Sequence, residues 1–279
     1  MGTLFLVATP IGNLEDISTR ALRILSEVQI IAAEDTRHSA KLLEKYQIKT
    51  PTTSYHEHSK EGKLKLLLNI LEQGDIALIT DAGTPSLNDP GYELVQAVIK
   101  AGHKISPIPG ASAPIAALVA SGLPTDKFLY LGYLPRKSAE RRRLLEEISH
   151  LPYTLVLLET PHRLISALKD CGEVLGERQV AIARELTKLH EEIFRGTIHQ
   201  ALTHFETEKP RGEFTLVLRG NVPIEREWTQ EELLSSLRKE LKQGKPISKV
   251  SSQIASQSGW PRREVYKLAN EIQSNKKRE

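Results

Sequence analysis

The stretch that most constrains the fold of this 279-residue chain runs from Ile76 to Gly91 and reads IALITDAGTPSLNDPG. Its apolar run stops at Asp81, and a turn of small residues with Gly83 and Pro85 follows. A buried parallel strand ends in this way when its loop must lie close to a ligand, because glycine lets the backbone approach without a Cβ atom. An ordinary strand-to-helix turn has a similar composition, so this loop alone leaves both interpretations open.

The same pattern recurs at three other predicted strands. These strands cover residues 4–8 before TPIGN, 28–33 before EDTRHS and 104–108 before PGASA. Ser18 or Thr19 is predicted to begin the helix that follows the first of them. Because ligands bind at the carboxyl edge of parallel sheets, four strands ending in polar or glycine-bearing loops predict a binding site at that edge.

The periodicity predicts two α/β domains followed by a small helical domain. Residues 1–112 alternate strand and helix patterns in βαβ order, which is typical of a parallel sheet. Residues 113–221 begin with a small-residue helix and continue through strands that are close enough for antiparallel pairing, so a mixed sheet is expected. The predicted strands of this second domain are 128–134, 153–158, 180–184 and 213–219.

Residues 222–279 are predicted to form the helical domain. Thr229 and Glu232 have the spacing of a capping box, and two further helices are expected on either side of Gly259, with Pro261 at the first position of the second one. This order is typical of a helix-turn-helix, but a helical interface domain without a nucleic-acid role would read the same way.

Positive charge is concentrated in two places. The formal net charge is +3, and residues 222–279 carry 12 lysines and arginines against 8 acidic residues. A second cluster of basic residues lies between positions 136 and 143. Clusters of basic residues can bind phosphates or can be solvated helix faces, and two clusters in one chain favour a phosphate-bearing partner. The predicted RNA-binding residues are Arg136, Lys137, Arg141, Arg142, Arg143, Arg262, Arg263 and Lys267.

Composition excludes several other classes of protein. No apolar segment approaches the roughly 20 residues that span a bilayer. The apolar run at the N-terminus lacks a preceding basic region and reads as a first strand, so a cytoplasmic protein is expected. Cys171 is the only cysteine, which excludes an internal disulfide and a cysteine-rich zinc site.

The loop after the first strand argues against a phosphate-bearing cofactor. TPIGNL has a single glycine, and the chain contains no phosphate-binding P-loop, whereas dinucleotide sites need several glycines and free backbone donors. A nucleoside ligand without phosphates instead needs carboxylates for its hydroxyl groups and small residues for close packing. S-adenosylmethionine is the common cofactor of that description.

The motifs, in their order along the chain, resemble those of the tetrapyrrole (corrin/porphyrin) methylase superfamily. They are ATPIGNLEDIS, IAAEDTRHS, LITDAGTPSLNDPG, PIPGASAPIAALVASGLP, LLETPHRL, ARELTKLHEE and GEFTLVL, within residues 4 to about 220. Within the superfamily, EDTRHS and DAGTP are most similar to the ribosomal RNA small subunit 2'-O-methyltransferase I group. The resemblance implies two α/β domains with a cofactor cleft between them, a homodimer, and methyl transfer from S-adenosylmethionine to the ribose 2'-oxygen of a cytidine in the decoding region of 16S rRNA.

The resemblance also implies which residues contact the cofactor. They are Pro10, Asp81, Ala82, Gly83, Thr84, Pro85, Ser112, Ala113, Leu158, Glu159 and Thr160. The porphyrin enzymes carry a GGDP loop where this chain has residues 82–85, which argues against a tetrapyrrole substrate.

The implied reaction is a direct displacement at a sulfonium methyl group, which requires neither a metal nor a covalent nucleophile. The protein must align oxygen, methyl and sulfur, exclude water and help to remove the 2'-proton. The candidates are Glu34 and Asp35, with Arg37 as an orienting or phosphate-binding partner, and Arg184, Glu185 or Lys188 from the second domain. Each of these groups could instead form an interdomain salt bridge.

Two alternatives to the RNA methyltransferase remain open at this point. They are a small-molecule methyltransferase of the porphyrin type, and a non-catalytic nucleic-acid-binding protein on the same fold. A metal site built from His38, His56 and His58 is disfavoured because no further ligand lies nearby in the sequence, and SYHEHS is expected to line the cleft or its rim.

Overall fold

The computed structural model describes residues 2–56, 61–207, 210–222, 228–243 and 245–276. The chain divides into two compact units, Met1–Gly220 and Asn221–Glu279. The first unit contains two five-stranded sheets. The boundary between two α/β domains near residue 112 stays a prediction.

The first sheet is entirely parallel, with strand order β3-β2-β4-β1-β5. All of its strands therefore present their carboxyl ends at one edge, which is the condition for the predicted binding site. Its strands are β1 (Thr3–Val7), β2 (Ile30–Ala33), β3 (Thr52–Ser54), β4 (Ile76–Ile79) and β5 (Lys104–Ile108). Its helices are α1 (Thr19–Glu27), α2 (Thr36–Lys45), α3 (Glu61–Leu71) and α4 (Tyr92–Lys100).

Burial explains why the central strand β4 is short and entirely apolar. All four of its residues are buried, because helices cover both faces of a parallel sheet. One face packs with Leu25 and Ile31, and the other with Leu67 and Leu94. Ser18 caps α1 by accepting a hydrogen bond from the Ala21 amide at 3.1 Å, which confirms the predicted helix start.

The second sheet is mixed, as predicted, with strand order β6-β7-β10-β8-β9. Only β6 and β7 are parallel, and the other pairs are antiparallel. Its strands are β6 (Phe128–Tyr133), β7 (Thr154–Glu159), β8 (Gln179–Arg184), β9 (Glu192–Thr197) and β10 (Phe214–Leu218). Its helices are α5 (Ala113–Ala120), α6 (Ser138–Ile148), α7 (Pro161–Leu175) and α8 (Ile198–Thr207). The edge strand β9 was not predicted, because its residues EIFRGT lack a regular alternation of apolar and polar positions.

The unit Asn221–Glu279 contains the helices α9 (Gln230–Lys242), α10 (Ile247–Ser258) and α11 (Arg262–Lys276). The capping box of Thr229 and Glu232 is present, and Gly259 adopts φ +76° between the last two helices, as a left-handed helix end requires. Pro261 lies one residue before α11 rather than at its first position. Its carbonyl oxygen accepts the Val265 amide at 3.1 Å, which makes it the residue before the first turn. Across the described residues, no helix is both long and apolar enough to cross a membrane.

Candidate active site

The ends of the neighbouring strands β2 and β4 are tied together by two reciprocal hydrogen bonds. The Asp81 amide donates to Glu34 Oε2 at 3.2 Å, and the Asp35 amide donates to Asp81 Oδ1 at 3.1 Å. Backbone donors thus hold the Glu34 and Asp81 carboxylates at the carboxyl edge of the sheet.

The loop after β4 also contacts the loops that follow β1 and β5. Gly83 has φ +88° and exchanges two backbone hydrogen bonds with Thr9, at 2.9 and 3.0 Å. Thr84 Oγ1 donates to the Ala111 carbonyl at 3.2 Å. Ser86 and Asn88 also adopt left-handed φ angles of +68° and +62°. Such strained conformations concentrate at ligand-binding loops, because the surrounding structure must hold them in place.

A first cavity, which we call the acidic cavity, opens between this loop and the second sheet. None of the described residues that line it is a lysine, arginine or histidine. The charged side chains of this lining are therefore all acidic, which favours a cationic ligand. Its charged lining residues are Glu34, Asp81, Asp89, Glu159 and Glu213.

Two buried polar atoms of the acidic cavity lack a partner. Glu159 Oε1 accepts the Thr160 amide at 2.8 Å and lies 3.2 Å from Arg163 Nε. Within the described part of the chain, its other oxygen, Oε2, has no hydrogen bond, and neither does the buried hydroxyl of Tyr130. Buried polar atoms are normally satisfied, so these two atoms point to a polar ligand in the cavity.

The acidic cavity also perturbs the groups around it. Burial, followed by the charge of Glu34, raises the pKa of Asp89 to about 6. Burial raises the pKa of Tyr130 to about 12, so its hydroxyl stays protonated and can donate a hydrogen bond. Perturbed carboxylates in a cleft are typical of functional sites.

A second cavity, which we call the basic cavity, adjoins the first. The two cavities share four lining residues, Ile11, Asp81, Ala82 and Glu213. The lining of the basic cavity also contains three basic side chains, those of His38, Lys41 and Lys188.

Lys188 belongs to a small ion-pair cluster at the rim of the basic cavity. Its Nζ donates to Glu185 Oε1 at 2.9 Å and to Glu213 Oε2 at 3.1 Å. Burial acts to lower the pKa of Lys188, but these two hydrogen bonds outweigh it and the pKa is raised overall. Lys188 is therefore protonated at neutral pH and cannot accept the 2'-proton. A Cβ atom on Gly12 would lie 2.5 Å from Lys188 Cγ, so only glycine lets the first loop approach this cluster.

The structure brings together most of the predicted cofactor contacts. The loops after β1, β4 and β5 and the end of β7 supply them, and Pro10 lines the basic cavity. Pro85 and Thr160 line neither cavity: Pro85 is buried within its loop, and Thr160 is the N-cap of α7. The predicted contacts that line the acidic cavity are Asp81, Ala82, Gly83, Thr84, Ser112, Ala113, Leu158 and Glu159.

The predicted catalytic residues are separated by the fold. Glu34 lines the acidic cavity, but Asp35 and Arg37 line neither cavity. Asp35 caps α2 and pairs with Arg37 at 2.7 Å, and this side-chain hydrogen bond holds the pKa of Asp35 far below its usual range. Asp35 is thus a poor proton acceptor. Arg184 pairs with Glu192 at 3.3 Å and also lies outside both cavities.

The sequence did not predict several residues of the acidic cavity, among them Asp89, Tyr130 and Tyr133. Asp89 precedes Pro90 and Gly91, and this combination reads as an ordinary turn before a helix. Tyr130 and Tyr133 lie on β6, where they read as strand aromatics. Their positions depend on how the second sheet packs over the first, which no local pattern in the sequence records.

The prediction that Arg141 binds RNA is wrong. Arg141 is only 3% exposed, and its guanidinium pairs with the buried carboxylate of Asp170. A charge that is buried and paired in this way cannot reach a phosphate. Arg142 is half-exposed and bonds Asp170 at 2.5 Å and Glu173 at 2.6 Å.

The other predicted RNA-binding residues are exposed. Arg143 and Lys137 lie beside carboxylates on the same helix or at its start, at 3.4 Å from Glu147 and 3.0 Å from Glu140. On α11, Arg262, Arg263 and Lys267 have no ion-pair partner within the described part of the chain. The exposed residues without such a partner are Arg136, Arg262, Arg263 and Lys267.

The histidines do not form a metal cluster within the described residues. His38 Nδ1 lies 3.7 Å from Asp81 Oδ1 and lines the basic cavity, whereas His56 lines a third cavity beside Asp89. His58 lies outside the described residues.

Comparison with known proteins defines the class first. The uroporphyrin-III-C-methyltransferase of Thermus thermophilus has a similar fold, with a TM-score of 0.54 and 22% identity over 78% of this chain and 94% of that chain. The family model of the Tetrapyrrole (Corrin/Porphyrin) Methylases matches residues 3–202. The two sheets and the cleft between them are thus those of a tetrapyrrole methylase.

More similar relatives narrow the assignment. The ribosomal RNA small subunit methyltransferase I of Synechocystis sp. is 46% identical over 99% of this chain and 100% of its own length. The protein of the same name from Escherichia coli O157:H7 is 42% identical over 98% of this chain and 96% of its own length. The chain belongs to the tetrapyrrole methylase family and, within it, to the ribosomal RNA small subunit methyltransferase I family, which confirms the resemblance found in the sequence.

Proposed function

We propose that the protein is an S-adenosylmethionine-dependent methyltransferase that methylates the ribose 2'-oxygen of a cytidine in the decoding region of 16S rRNA. Membership of the family and the names of its relatives support methyl transfer to small-subunit rRNA. The observation that carries the choice of cofactor is the charge of the acidic cavity, whose charged lining residues in the described chain are all carboxylates.

The residues of the acidic cavity fit this cofactor. S-adenosylmethionine carries a sulfonium and an ammonium cation, which the carboxylates attract, whereas a cofactor with several phosphates would be repelled. Glu159 Oε2 lacks a partner and can accept a hydrogen bond from an ammonium or hydroxyl group, and the Tyr130 hydroxyl can donate one. When bound, the cofactor supplies a methyl group activated by its positive sulfur.

The basic surfaces fit an RNA acceptor better than a tetrapyrrole. The exposed groups at Arg136, Lys137 and Arg143 can bind the phosphate backbone, and so can Arg262, Arg263 and Lys267 on α11. Arg141 is removed from this set because it is buried with Asp170. The sequence of residues 82–85 also differs from the GGDP loop of the porphyrin enzymes.

We further propose a homodimer in the cytoplasm, on the family resemblance alone. Light scattering on the purified chain tests the first point, with a mass near twice 31.2 kDa expected. A mass of one chain at micromolar concentration would contradict the dimer.

Transfer of labelled methyl from S-adenosylmethionine tests the activity. Three acceptors are compared: isolated small subunits, naked 16S rRNA and a tetrapyrrole precursor. We expect label in RNA, and nuclease digestion should place it on the ribose of a cytidine. Label on a base, or on the tetrapyrrole alone, would overturn the assignment.

A further inference from the structure

The basic cavity shares one wall with the acidic cavity. Asp81 and Ala82 from the loop after β4 belong to both linings, as do Ile11 and Glu213. A methyl donor in the acidic cavity therefore has an adjoining space on the far side of Asp81. An acceptor atom must lie in line with the methyl and its leaving sulfur, so it must approach from such an adjoining space.

The polar groups that α2 contributes to the basic cavity suit an anionic ligand that also carries hydroxyl groups. Lys41 is exposed on α2, and it has no ion pair with any residue that the structure describes. His38, one turn earlier on the same helix, faces the cavity as well. Between them, Ser39 is only 4% exposed, and its hydroxyl lacks a hydrogen-bond partner in the described chain. A lysine without a carboxylate and a buried hydroxyl without a partner are both ready to bind a ligand.

A third cavity also borders the acidic one but suits a nucleotide less well. It shares Glu34 and Asp89 with the acidic cavity and adds Glu93, Tyr92 and His56. Three carboxylates in this lining would repel a phosphate group. The basic cavity is therefore the better match for a ribose with its phosphate.

We propose that the basic cavity binds the acceptor nucleotide, with a phosphate against Lys41 and His38 and the 2'-hydroxyl at Asp81. This inference rests on the proposed function, because it assigns the second substrate of the same reaction. It also moves Asp81 from a cofactor contact to the residue at which the two substrates meet.

The geometry of Asp81 suits it to accept the 2'-proton. Its Oδ1 is held by the Asp35 amide at 3.1 Å, while Oδ2 has no hydrogen bond to any residue that the structure describes. The 2'-oxygen forms a bond to the methyl carbon, the carbon–sulfur bond breaks with its electron pair remaining on sulfur, and the 2'-proton passes to Asp81. His38 Nδ1, at 3.7 Å from Asp81 Oδ1, can stabilise the carboxylate before the transfer.

Paired substitutions test the phosphate contact. Lys41→Ala is compared with Lys45→Ala, because Lys45 is exposed on the same helix and lines neither cavity. We expect Lys41→Ala to raise the KM for small subunits about tenfold, as loss of a charged hydrogen bond does, and to leave the cofactor Kd unchanged. Fluorescence anisotropy with a labelled single-stranded RNA of the decoding-region sequence should show the same loss of affinity without any turnover. Equal values for the two variants in both assays would overturn the site.

Asp81→Asn tests the proton transfer. The asparagine can still accept the Asp35 amide, but it cannot take a proton, so we expect kcat at saturating cofactor to fall about 100-fold with a KM for RNA within threefold of the parent. Asp126→Asn, an exposed change away from both cavities, is the control. An unchanged kcat would remove Asp81 from the chemistry. If the parent transfers no methyl to RNA, the proposed function fails, and the anisotropy comparison still decides whether RNA contacts the basic cavity.

Discussion

The acidic and basic cavities lie side by side and share four residues, but among the described residues only the lining of the basic cavity contains lysines. The acidic cavity is built from strand-end loops and the edge of the second sheet, whereas the basic cavity is lined by the loops after β1 and β4 and by one face of α2. The difference shows how one cleft can sort a cationic methyl donor from an anionic acceptor. In the proposed arrangement, the carboxylates of the acidic cavity attract the methyl donor, Lys41 attracts the acceptor phosphate, and the two ligands meet at the shared wall.

The sharpest contrast is expected from Gly83→Val. A β-branched residue is strained at φ +88°, and its Cβ would lie 3.5 Å from Ile11 Cγ2 in the lining of the acidic cavity. We therefore expect the cofactor Kd to rise about a hundredfold or more and RNA affinity to change little. Calorimetry and anisotropy measure the two affinities. Gly122→Val is the matched control, because Gly122 has φ +77° and open space around it. Equal cofactor affinity in both folded variants would remove the glycine loop from the cofactor site.

Glu159→Gln should weaken the cofactor by about tenfold, because it removes the charge from a buried carboxylate whose Oε2 lacks a partner. RNA affinity should stay the same, since Glu159 does not line the basic cavity. Glu140→Gln, at an exposed carboxylate beside Lys137, controls for the loss of one negative charge. A loss of RNA affinity as large as the loss of cofactor affinity would break the distinction between the cavities.

The pKa of Asp89 predicts a smaller, pH-dependent effect. Because burial and Glu34 raise this pKa to about 6, Asp89 is ionised at pH 7.5 and becomes neutral as the pH falls below about 6. The acidic cavity then loses one negative charge, so cofactor affinity should fall about threefold by about pH 5. The Asp89→Asn variant should bind the cofactor at both pH values with the low affinity that the parent shows at the lower pH. A parent affinity that does not change over this range would contradict the assignment of Asp89 to the cofactor side.

The smallest effect is expected from Lys188→Gln. Two carboxylates already neutralise Lys188, so its removal should raise the KM for RNA only about threefold, less than Lys41→Ala. Steady-state kinetics on small subunits measure both variants. A larger loss from Lys188→Gln than from Lys41→Ala would show that the phosphate lies on the side of the second sheet.

Local patterns along the chain were enough to predict the strand ends that build the site. Glu34 and Asp81 follow apolar runs, and a parallel sheet must bring such ends to one edge. The family motifs then added residues of the second sheet, such as Glu159, which no spacing connects to the first.

Contacts between distant parts of the chain could not be predicted in this way. Arg141 looks like its neighbours in a basic helix start, and only the fold shows that Asp170, on the next helix, neutralises it. The turn-forming neighbours of Asp89 gave no sign of a site, and its raised pKa depends on burial and on the charge of Glu34, which is distant in the sequence. A cluster of charged residues in a sequence therefore predicts an exposed charged surface only if no residue from a distant part of the chain pairs with those charges in the interior.

Two glycines set how the cleft between the sheets can be altered. Gly12 allows the first loop to lie against Lys188 and Thr187, and Gly132, in the bulge of β6, allows Asn88 of the opposite loop to lie against the strand. At each of these positions, an added Cβ atom would push apart the two segments that are now in contact. An engineer who wished to widen the cleft would thus have two positions to alter. Gly12 lines the basic cavity, so a larger residue there would also change the proposed acceptor site. Gly132 lines neither cavity, but its φ of +60° means that a larger residue would also strain the backbone.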